Sequence, residues 1–260
     1  MLILMNSEIT DNNYPIVELD QITVKAKDKI TTILNNISLK ISSFETIGIV
    51  GNSGAGKSTL LKLLNNLYSP SQGEYLLLGK PLEQTDPCLV RRIISLVPQE
   101  PNLLGMDVKS TLIYPLYLRN FAKREINHRL QTVIEQFYIP QSWLNKREFE
   151  LSLGQRQLVT IARGMIVHPM VLLLDEPTSA LDMGKSNWLI ETLQNLCQEQ
   201  KMSIVVVNHN LEWIKKFAQR LIWLDKSQIR EDLTISEVNW TIIENNFLMS
   251  NNNQDDFDDF

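Results

Sequence analysis

The sequence predicts an α/β fold built around a mostly parallel β-sheet. Short runs of β-branched and aliphatic residues alternate with longer segments that repeat leucine and isoleucine at helical spacing. Thr46–Val50 and Val171–Leu174 are short and almost wholly apolar, as strands covered on both faces of a parallel sheet are. A chain of 260 residues is long enough for one large domain that carries a subdomain.

The elements follow from these patterns in chain order. The first strands, ahead of Thr46–Val50, are predicted as antiparallel N-terminal strands, and leucines recurring on one face predict a helix over Lys57–Leu67. The predicted strands are Ile16–Ile22, Ile37–Ile41, Thr46–Val50, Glu74–Leu78, Ile93–Val97, Val171–Leu174, Ile204–Val207 and Leu221–Leu224.

A helical insert is predicted where the strand pattern stops, at residues 100–155. Arg124–Phe137 carries apolar residues at helical spacing, and later helices are predicted after Gln155, over Gly184–Cys197 and over Ile235–Leu248. The domain therefore runs over residues 16–248, with an α/β core at 16–99 and 156–248. Residues 1–15 are predicted as a flexible tail and residues 249–260 as an acidic, disordered one.

A glycine-rich segment lies between the strand Thr46–Val50 and the helix that follows it. It fits the pattern G-x-x-x-x-G-K-[ST] in the strand–loop–helix context that this pattern requires. Glycines let the main chain approach phosphate oxygens, and N–H groups at a helix N-terminus form an anion site. Lys57 would contact the β- and γ-phosphates, and Ser58 would ligate Mg²⁺. The predicted phosphate-binding loop comprises Gly51, Asn52, Ser53, Gly54, Ala55, Gly56, Lys57, Ser58 and Thr59.

Two carboxylates follow the apolar strand Val171–Leu174. Ligands of parallel α/β sheets bind at the carboxyl ends of the strands, which is where Asp175 and Glu176 stand. With a phosphate-binding loop in the same chain, Asp175 is predicted to hold Mg²⁺ and Glu176 to orient or deprotonate an attacking water.

Leu151-Ser-Leu-Gly-Gln, with the segment Arg156–Arg163 after it, resembles the signature of the ATP-binding subunits of ABC transporters. The usual form of that signature is Leu-Ser-Gly-Gly-Gln. The family pattern continues at Gln99, at Ser179–Asp182 and at His209. The resemblance covers about residues 16–225, with the motifs in the family's order and spacing.

The resemblance implies a RecA-like P-loop NTPase core that binds ATP and Mg²⁺ and hydrolyses ATP. It also implies a head-to-tail dimer, taken here as a homodimer, in which the signature of one subunit caps the ATP on the other. Glu176, His209, Lys57 and Gln99 would be catalytic, with Gln99 also touching Mg²⁺. The second subunit would supply Ser152, Gly154, Gln155 and, at the interface, Asp182.

Two departures from the family pattern bear on nucleotide binding. Leu153 stands where the signature usually has glycine; leucine is tolerated there if the backbone does not need a positive φ. An adenine-stacking aromatic is usual near the position of Ala26, and the chain has no aromatic residue between Pro15 and Phe44. Loose selectivity for the base is therefore predicted.

Composition and charge restrict the partners. A formal net charge of −5 disfavours general binding to nucleic acid, and no apolar stretch approaches the roughly 18 residues that span a bilayer. We therefore predict a cytoplasmic ATPase on the inner face of the plasma membrane, acting through a separate membrane permease. Pro101–Gly105 and Leu112–Asn120 either form its docking surface or pack inside the helical insert.

The sequence leaves alternatives open. Together with Ile139–Leu144, the two apolar segments also resemble a small group of bacterial and plastid ATPases linked to metal export. Import of a small solute is the alternative. A soluble ABC-type ATPase for assembly, such as that of iron–sulfur clusters, has a similar length. The long coiled-coil arms of the repair ATPases are absent from the sequence.

Overall fold

The computed structural model describes residues 15–252. The predicted N-terminal tail, apart from Pro15, lies outside the described residues, and so do residues 253–260 of the predicted acidic tail. Within the described part, no helix is both long and apolar enough to cross a bilayer.

Ten strands and eight α-helices are described between residues 15 and 252. The strands are β1 (Pro15–Lys25), β2 (Thr32–Ser42), β3 (Thr46–Val50), β4 (Gln72–Leu77), β5 (Lys80–Pro81), β6 (Ile94–Val97), β7 (Val171–Asp175), β8 (Ser203–Val207), β9 (Arg220–Asp225) and β10 (Gln228–Thr234). The helices are α1 (Lys57–Leu64), α2 (Pro87–Ile93), α3 (Val108–Leu118), α4 (Lys123–Gln136), α5 (Leu153–Met165), α6 (Met183–Glu199), α7 (Leu211–Phe217) and α8 (Trp240–Asn252).

The strands form two sheets. The first is antiparallel with the order β2-β1-β4-β5, as predicted for the N-terminal strands. The second has the order β10-β9-β3-β8-β7-β6; all of its strands are parallel except β10, which pairs antiparallel with β9 at the edge. The α/β class with a parallel sheet is therefore confirmed.

The parallel sheet separates two cores because successive side chains of a strand point to opposite faces. In β7, Leu172 and Leu174 pack with helices α3–α7, while Val171 and Leu173 face α1, α2 and the antiparallel sheet. β7 and β8 are fully buried along their lengths, which explains their uninterrupted apolar sequences.

The insert between β6 and β7 is helical, as the sequence predicts. The segment Leu112–Asn120 was predicted either to form a docking surface or to pack inside the insert. Leu112 and Leu116 of α3 pack in the core and are fully buried, whereas Tyr117 and Leu118 are 57% and 62% exposed. The neighbouring Leu103 is buried and Leu104 is half exposed. One face of α3 therefore belongs to the core and the other is available for contacts.

The last helix differs from its predicted position. α8 covers Trp240–Asn252, so it starts later than Ile235 and continues past residue 248, where the acidic tail was predicted to begin. Before it, Ile235 N–H bonds to the Gln219 carbonyl, which holds that residue beside β9 in a non-helical conformation.

Candidate functional site

The phosphate-binding loop joins β3 to α1. Gly56 caps α1 with a φ of 103°, and a Cβ at this position would lie 2.7 Å from Leu34 Cδ2 and 2.9 Å from the Ile33 carbonyl. Both the backbone conformation and the lack of space require glycine here. The loop conformation is thus imposed by sequence together with packing against β2.

Lys57 is the first residue of α1 and is buried. Its Nζ donates hydrogen bonds of 2.8 Å to the carbonyls of Gly51 and Asn52, so the side chain folds back over its own loop. Burial lowers the pKa of Lys57, while the nearby charges of Glu176 and Asp175 act in the opposite direction. The ammonium is therefore held against its own loop by these two carbonyls.

Glu176 lies between the side chains of Gln99 and His209. Gln99 Nε2 donates to Glu176 Oε2 at 2.9 Å, and His209 Nε2 lies 2.8 Å from Glu176 Oε1. The three residues follow β6, β7 and β8, neighbouring parallel strands whose carboxyl ends meet at one edge of the sheet. Both oxygens of the carboxylate are thus fixed in position by side chains 77 and 33 residues away.

The backbone at Glu176 has a φ of 47°, in the left-handed region. Such a conformation costs a non-glycine residue roughly 1–3 kcal/mol and persists only where surrounding contacts impose it. Here the Glu176 N–H bonds to the Val207 carbonyl at 2.9 Å, and the Ser179 hydroxyl donates to the Glu176 carbonyl at 3.1 Å. These bonds turn the carboxylate towards the phosphate-binding loop.

A cavity of about 490 Å³ joins the loop to the three-residue cluster. It brings together most of the residues that one subunit was predicted to contribute to the nucleotide site. Its lining comprises Ile33, Ser53, Gly54, Gly56, Lys57, Ser58, Thr59, Gln99, Glu176 and His209.

Asp175 ends β7 beneath this cavity and is 6% exposed. Burial raises the pKa of its carboxyl above the ordinary value, against a hydrogen bond from Ser58 that lowers it. Oδ1 has no hydrogen-bond partner among the described residues. The site thus contains an acceptor oxygen that is buried and still free to bind a ligand.

Asp175→Asn is expected to stabilise the ligand-free protein. Because burial raises the pKa of Asp175 in the folded state, the contribution of its carboxyl to the free energy of unfolding is present at low pH and is lost as the pH rises through that pKa. Above that pKa the folded protein contains a buried, ionised carboxylate. Removing that charge should raise the free energy of unfolding by about 1 kcal/mol and Tm by ~2–4 °C. Urea unfolding at pH 8 measures the difference in the free energy of unfolding between the variant and wild type, and the exposed Asp20→Asn is the control. This difference should become smaller as the pH is lowered towards the raised pKa of Asp175.

The signature residues are held together but lie outside the cavity lining. Ser152 caps α5: its hydroxyl accepts from Gln155 N at 3.2 Å, and Gln155 Oε1 accepts from Ser152 N at 2.9 Å. Gly154 packs against the loop that leads to Asp182, since a Cβ on Gly154 would lie 2.7 Å from the Ala180 carbonyl. Asp182 caps α6 and pairs with Lys185 at 2.7 Å.

The structure describes both positions at which the nucleotide-binding pattern of the family is altered. Leu153 is the first residue of α5, lies outside the positive-φ residues and is 50% exposed, so leucine fits the backbone without strain. In the loop after β1, neither Ala26 nor its neighbours up to residue 31 line the cavity. The aliphatic Ile33, at the start of β2, does line it.

Sequence reasoning missed Ile33 and the role of Asn208. Asn208 is buried, donates to the Thr178 hydroxyl at 2.8 Å and accepts from Asn210 N at 2.9 Å. It therefore ties the loop that carries His209 to the loop after Glu176. The signal was present as an asparagine on each side of the histidine, and Asn210 in turn caps α7.

The fold and this site define a P-loop nucleotide-binding domain. The family model described as "ABC transporter" matches residues 34–179, which is more than half of the chain. The chain belongs to the ABC transporter family.

Individual relatives agree with this assignment. The chain is 34% identical over 203 residues to a methionine import ATP-binding protein of Francisella tularensis subsp. holarctica, covering 76% of this chain and 58% of the relative. It is 34% identical over 228 residues to the α-haemolysin translocation ATP-binding protein HlyB of Escherichia coli O157:H7, covering 85% and 32%. The chain thus spans between about a third and three fifths of the length of these relatives.

Solved structures share the fold. A dimeric, post-hydrolysis ATP-binding cassette, MJ0796, bound to ADP and Pi matches with a TM-score of 0.77 and 28% identity, covering 84% of this chain and 98% of that one. CbiO1 of Clostridium perfringens, part of the transporter complex CbiONQ, matches with a TM-score of 0.77 and 25% identity, covering 86% and 90%.

Proposed function

We propose that this chain binds and hydrolyses ATP as one half of a head-to-tail dimer that drives transport through a separate membrane permease. The observation that carries the proposal is the Glu176 carboxylate, held between Gln99 and His209 at the rim of the phosphate-loop cavity. The relatives that are named for methionine import and haemolysin translocation, and the cassette bound to ADP and Pi, support it.

The proposed chemistry is in-line attack of water on the γ-phosphate of ATP, which yields ADP and phosphate. Glu176 would orient the water and accept its proton, and its contacts with Gln99 and His209, which hold the carboxylate in one orientation, support this role. Lys57 would supply positive charge to the phosphates, and the N–H groups of the loop that lines the cavity would bind them.

Mg²⁺ fits the donor atoms of the site. The unpartnered Oδ1 of the buried Asp175, the Ser58 hydroxyl and the Gln99 amide oxygen are the hard oxygen ligands that this ion prefers. Among the described residues no group of three or more His, Cys, Asp or Glu could hold a metal, so phosphate oxygens and water would complete the shell. When bound, the ion would neutralise charge that develops on the phosphates.

A second copy of the chain would complete the site. Ser152, Gly154, Gln155 and Asp182 carry the family's remaining nucleotide-binding positions, yet none of them lines the cavity of their own chain. They lie together, through the contact of Gly154 with Ala180, on the exposed starts of α5 and α6. The dimeric cassette structures support this arrangement.

In this proposal the permease determines which solute is transported. The names of the relatives mention different cargoes, methionine in one and protein toxins in others. They therefore support a role in transport but do not identify the solute. Metal export and small-solute import are both compatible with the ATPase proposed here, which would lie on the cytoplasmic face of the membrane.

Capture of the membrane partner tests the transport proposal. A tagged Glu176→Gln chain, with ATP and Mg²⁺, is used to pull down its complex from detergent-solubilised membranes of the source organism, and the partners are identified by mass spectrometry. We expect a polytopic membrane protein. Recovery of soluble partners alone would instead indicate an assembly ATPase.

The base of the nucleotide should be weakly selected. With Ile33 in place of a stacking aromatic, the contribution of ring stacking, about 0.5–1.5 kcal/mol, is missing. We expect kcat/KM for ATP and GTP to agree within about tenfold. Steady-state phosphate release with each nucleotide measures this, and a preference of about a hundredfold or more for ATP would contradict it.

A further inference from the structure

A surface cavity of about 280 Å³ is lined by the end of α4 and by one face of α6. Two aromatic side chains stand in its wall: Tyr138, just after α4, and Trp188 of α6. Their ring centroids are 6.0 Å apart in an edge-to-face arrangement. The remaining lining residues are Gln136, Glu191, Thr192, Asn195, Leu196 and Glu199. We call this cavity the aromatic pocket.

Tyr138 holds a backbone conformation that favours glycine. Its φ is 47°, in the left-handed region. Around it α4 ends in two hydrogen bonds: Tyr138 N–H bonds to the Glu135 carbonyl at 3.3 Å, and Ile139 N–H bonds to the Ile134 carbonyl at 2.9 Å. Glycine is the usual residue at this point of such a helix end, because it has no Cβ to crowd the left-handed backbone.

The side chain of Tyr138 does not offset this strain by burial. Its ring is 77% exposed, and its ring contact within the described residues is with Trp188. Trp188 itself is half-buried and is supported from within by the buried Phe137, whose ring centroid lies 6.3 Å away. The fold therefore accounts for Phe137 and Trp188, whereas a tyrosine at position 138 indicates a contact made outside the fold.

The aromatic pocket carries negative charge without a counter-charge. Glu191 and Glu199 line it, no lysine or arginine is among its lining residues, and neither carboxylate lies within ion-pair distance of a cation between residues 15 and 252. α4 and α6 both end at the pocket, at Gln136 and Glu199, and the C-terminus of a helix carries partial negative charge. The faces of aromatic rings also attract cations. Rings, carboxylates and helix ends thus all favour a cationic ligand.

Among the cationic groups of proteins, arginine matches this pocket best. Its planar guanidinium stacks on aromatic rings and binds a carboxylate through two parallel hydrogen bonds, whereas the ammonium of lysine is a point charge. A free small cation would leave most of the Tyr138 ring in water. A protein segment that presents an arginine would cover the ring, and tyrosine, tryptophan and arginine contribute most of the binding energy in protein interfaces.

The arginine has to come from another chain that does not occupy the nucleotide site. Residues 1–14 and 253–260 of this chain contain no lysine or arginine. Trp188 and Glu199 follow Asp182, the N-cap of α6, by six and seventeen positions, which is about 9 and 25 Å along a helix. The pocket therefore extends away from the end of α6 at which a second copy is proposed to complete the nucleotide site.

We propose that the aromatic pocket binds an arginine side chain presented by a second protein. The proposal goes beyond the proposed ATPase function and is independent of it, because the pocket shares no residue with the phosphate-loop cavity. The chain would thus have a protein-binding site that remains accessible whether or not ATP is bound.

Titration with an arginine probe tests the chemistry of the pocket. In protein labelled with ¹⁵N at the tryptophan indoles, the Trp188 signal is identified as the one lost in Trp188→Phe. At constant ionic strength, N-acetyl-arginine methylamide should shift this signal at about 1–50 mM, the range for a single side chain. The citrulline analogue has the same shape without the charge and should bind at least about tenfold more weakly. Equal shifts with citrulline, or no shift with arginine, would overturn the proposal.

Substitutions separate binding from folding. Tyr138→Gly should weaken binding of the arginine probe about fivefold, and the double variant Glu191→Gln/Glu199→Gln about tenfold or more. Because glycine suits the backbone at position 138, Tm of Tyr138→Gly should stay within ~3 °C of wild type. Glu83→Gln, an exposed change away from the pocket, should bind the probe within about twofold of wild type. Wild-type affinity in Tyr138→Gly and in the double variant would show that the probe binds elsewhere.

Crosslinking in cells of the source organism tests the partner. Asn195→p-benzoylphenylalanine places a photoreactive group in the pocket wall and keeps both rings and both carboxylates. We expect a covalent adduct whose crosslinked peptide belongs to another protein and contains an arginine. Changing that arginine to glutamine, or adding Tyr138→Gly to this chain, should lower the adduct yield about fivefold or more. An adduct with a second copy of the chain, an adduct that does not depend on the arginine, or no adduct would overturn the proposal.

ATP hydrolysis by the purified variants keeps the two proposals distinguishable. Tyr138→Gly and the double glutamate variant should hydrolyse ATP within about twofold of wild type, since they lie outside the nucleotide site. Loss of probe binding with unchanged hydrolysis supports the aromatic pocket, and an equal loss of hydrolysis would show that the substitutions act through the fold.

Discussion

Glu176→Gln is expected to lower the rate of ATP hydrolysis by ~10²–10⁴-fold while ATP still binds. The amide keeps the size and the position of the side chain but cannot accept a proton from the attacking water. The amide oxygen would still accept a hydrogen bond from Gln99, while the amide NH₂ group would face His209 Nε2, so the position of the side chain should persist. Steady-state phosphate release gives the rate, and fluorescence of a labelled ATP analogue gives the affinity.

The matched control for this change is Glu191→Gln, an exposed glutamate on α6. It should hydrolyse ATP within about twofold of wild type, since surface substitutions have small effects. Hydrolysis at the wild-type rate by Glu176→Gln would show that another group activates the water and would contradict the catalytic assignment.

Lys57→Ala is expected to weaken ATP binding by roughly 10- to 100-fold. The buried Nζ lies within its own loop, and each charge-assisted hydrogen bond that it would make to phosphate contributes about 1.5–3 kcal/mol. Alanine removes the charge and leaves the loop carbonyls of Gly51 and Asn52 without their donor. Equilibrium titration with a labelled ATP analogue measures the change in Kd.

Lys123→Ala, at the exposed start of α4, is the control for the loss of a positive charge. Its Kd for ATP should equal that of wild type. If Lys57→Ala bound ATP as tightly as wild type, the loop would not be the phosphate site that its sequence predicts.

The sequence predicted the fold best where local patterns and burial agree. β3, β7 and β8 are short, apolar and fully buried, so their positions can be predicted from the local run of apolar residues. β10 was not predicted because its residues 228–234 alternate exposed and half-buried positions and carry three charged residues in succession. α3 was missed since Pro115 lies inside the helix, where proline normally disfavours it.

The candidate site was predictable as motifs but not as geometry. The phosphate-binding loop and the acid pair Asp175–Glu176 can be recognised locally, because strand, loop and helix are adjacent in sequence. The contacts of Glu176 with Gln99 and His209 depend on the order of strands β6, β7 and β8 in the sheet. Ile33 enters the cavity from a different sheet, which no local pattern indicates.

Sedimentation velocity of Glu176→Gln, with and without ATP and Mg²⁺, tests the composite site most directly. We expect a monomer without nucleotide and a dimer at saturating ATP, because Ser152 and Gly154 do not line the phosphate-loop cavity of their own chain and a second copy would bring them to it. Ser152→Arg, which places a bulky cation on the signature, should prevent that dimer. A monomer at saturating ATP, under conditions where ATP binding is verified, would contradict the composite site.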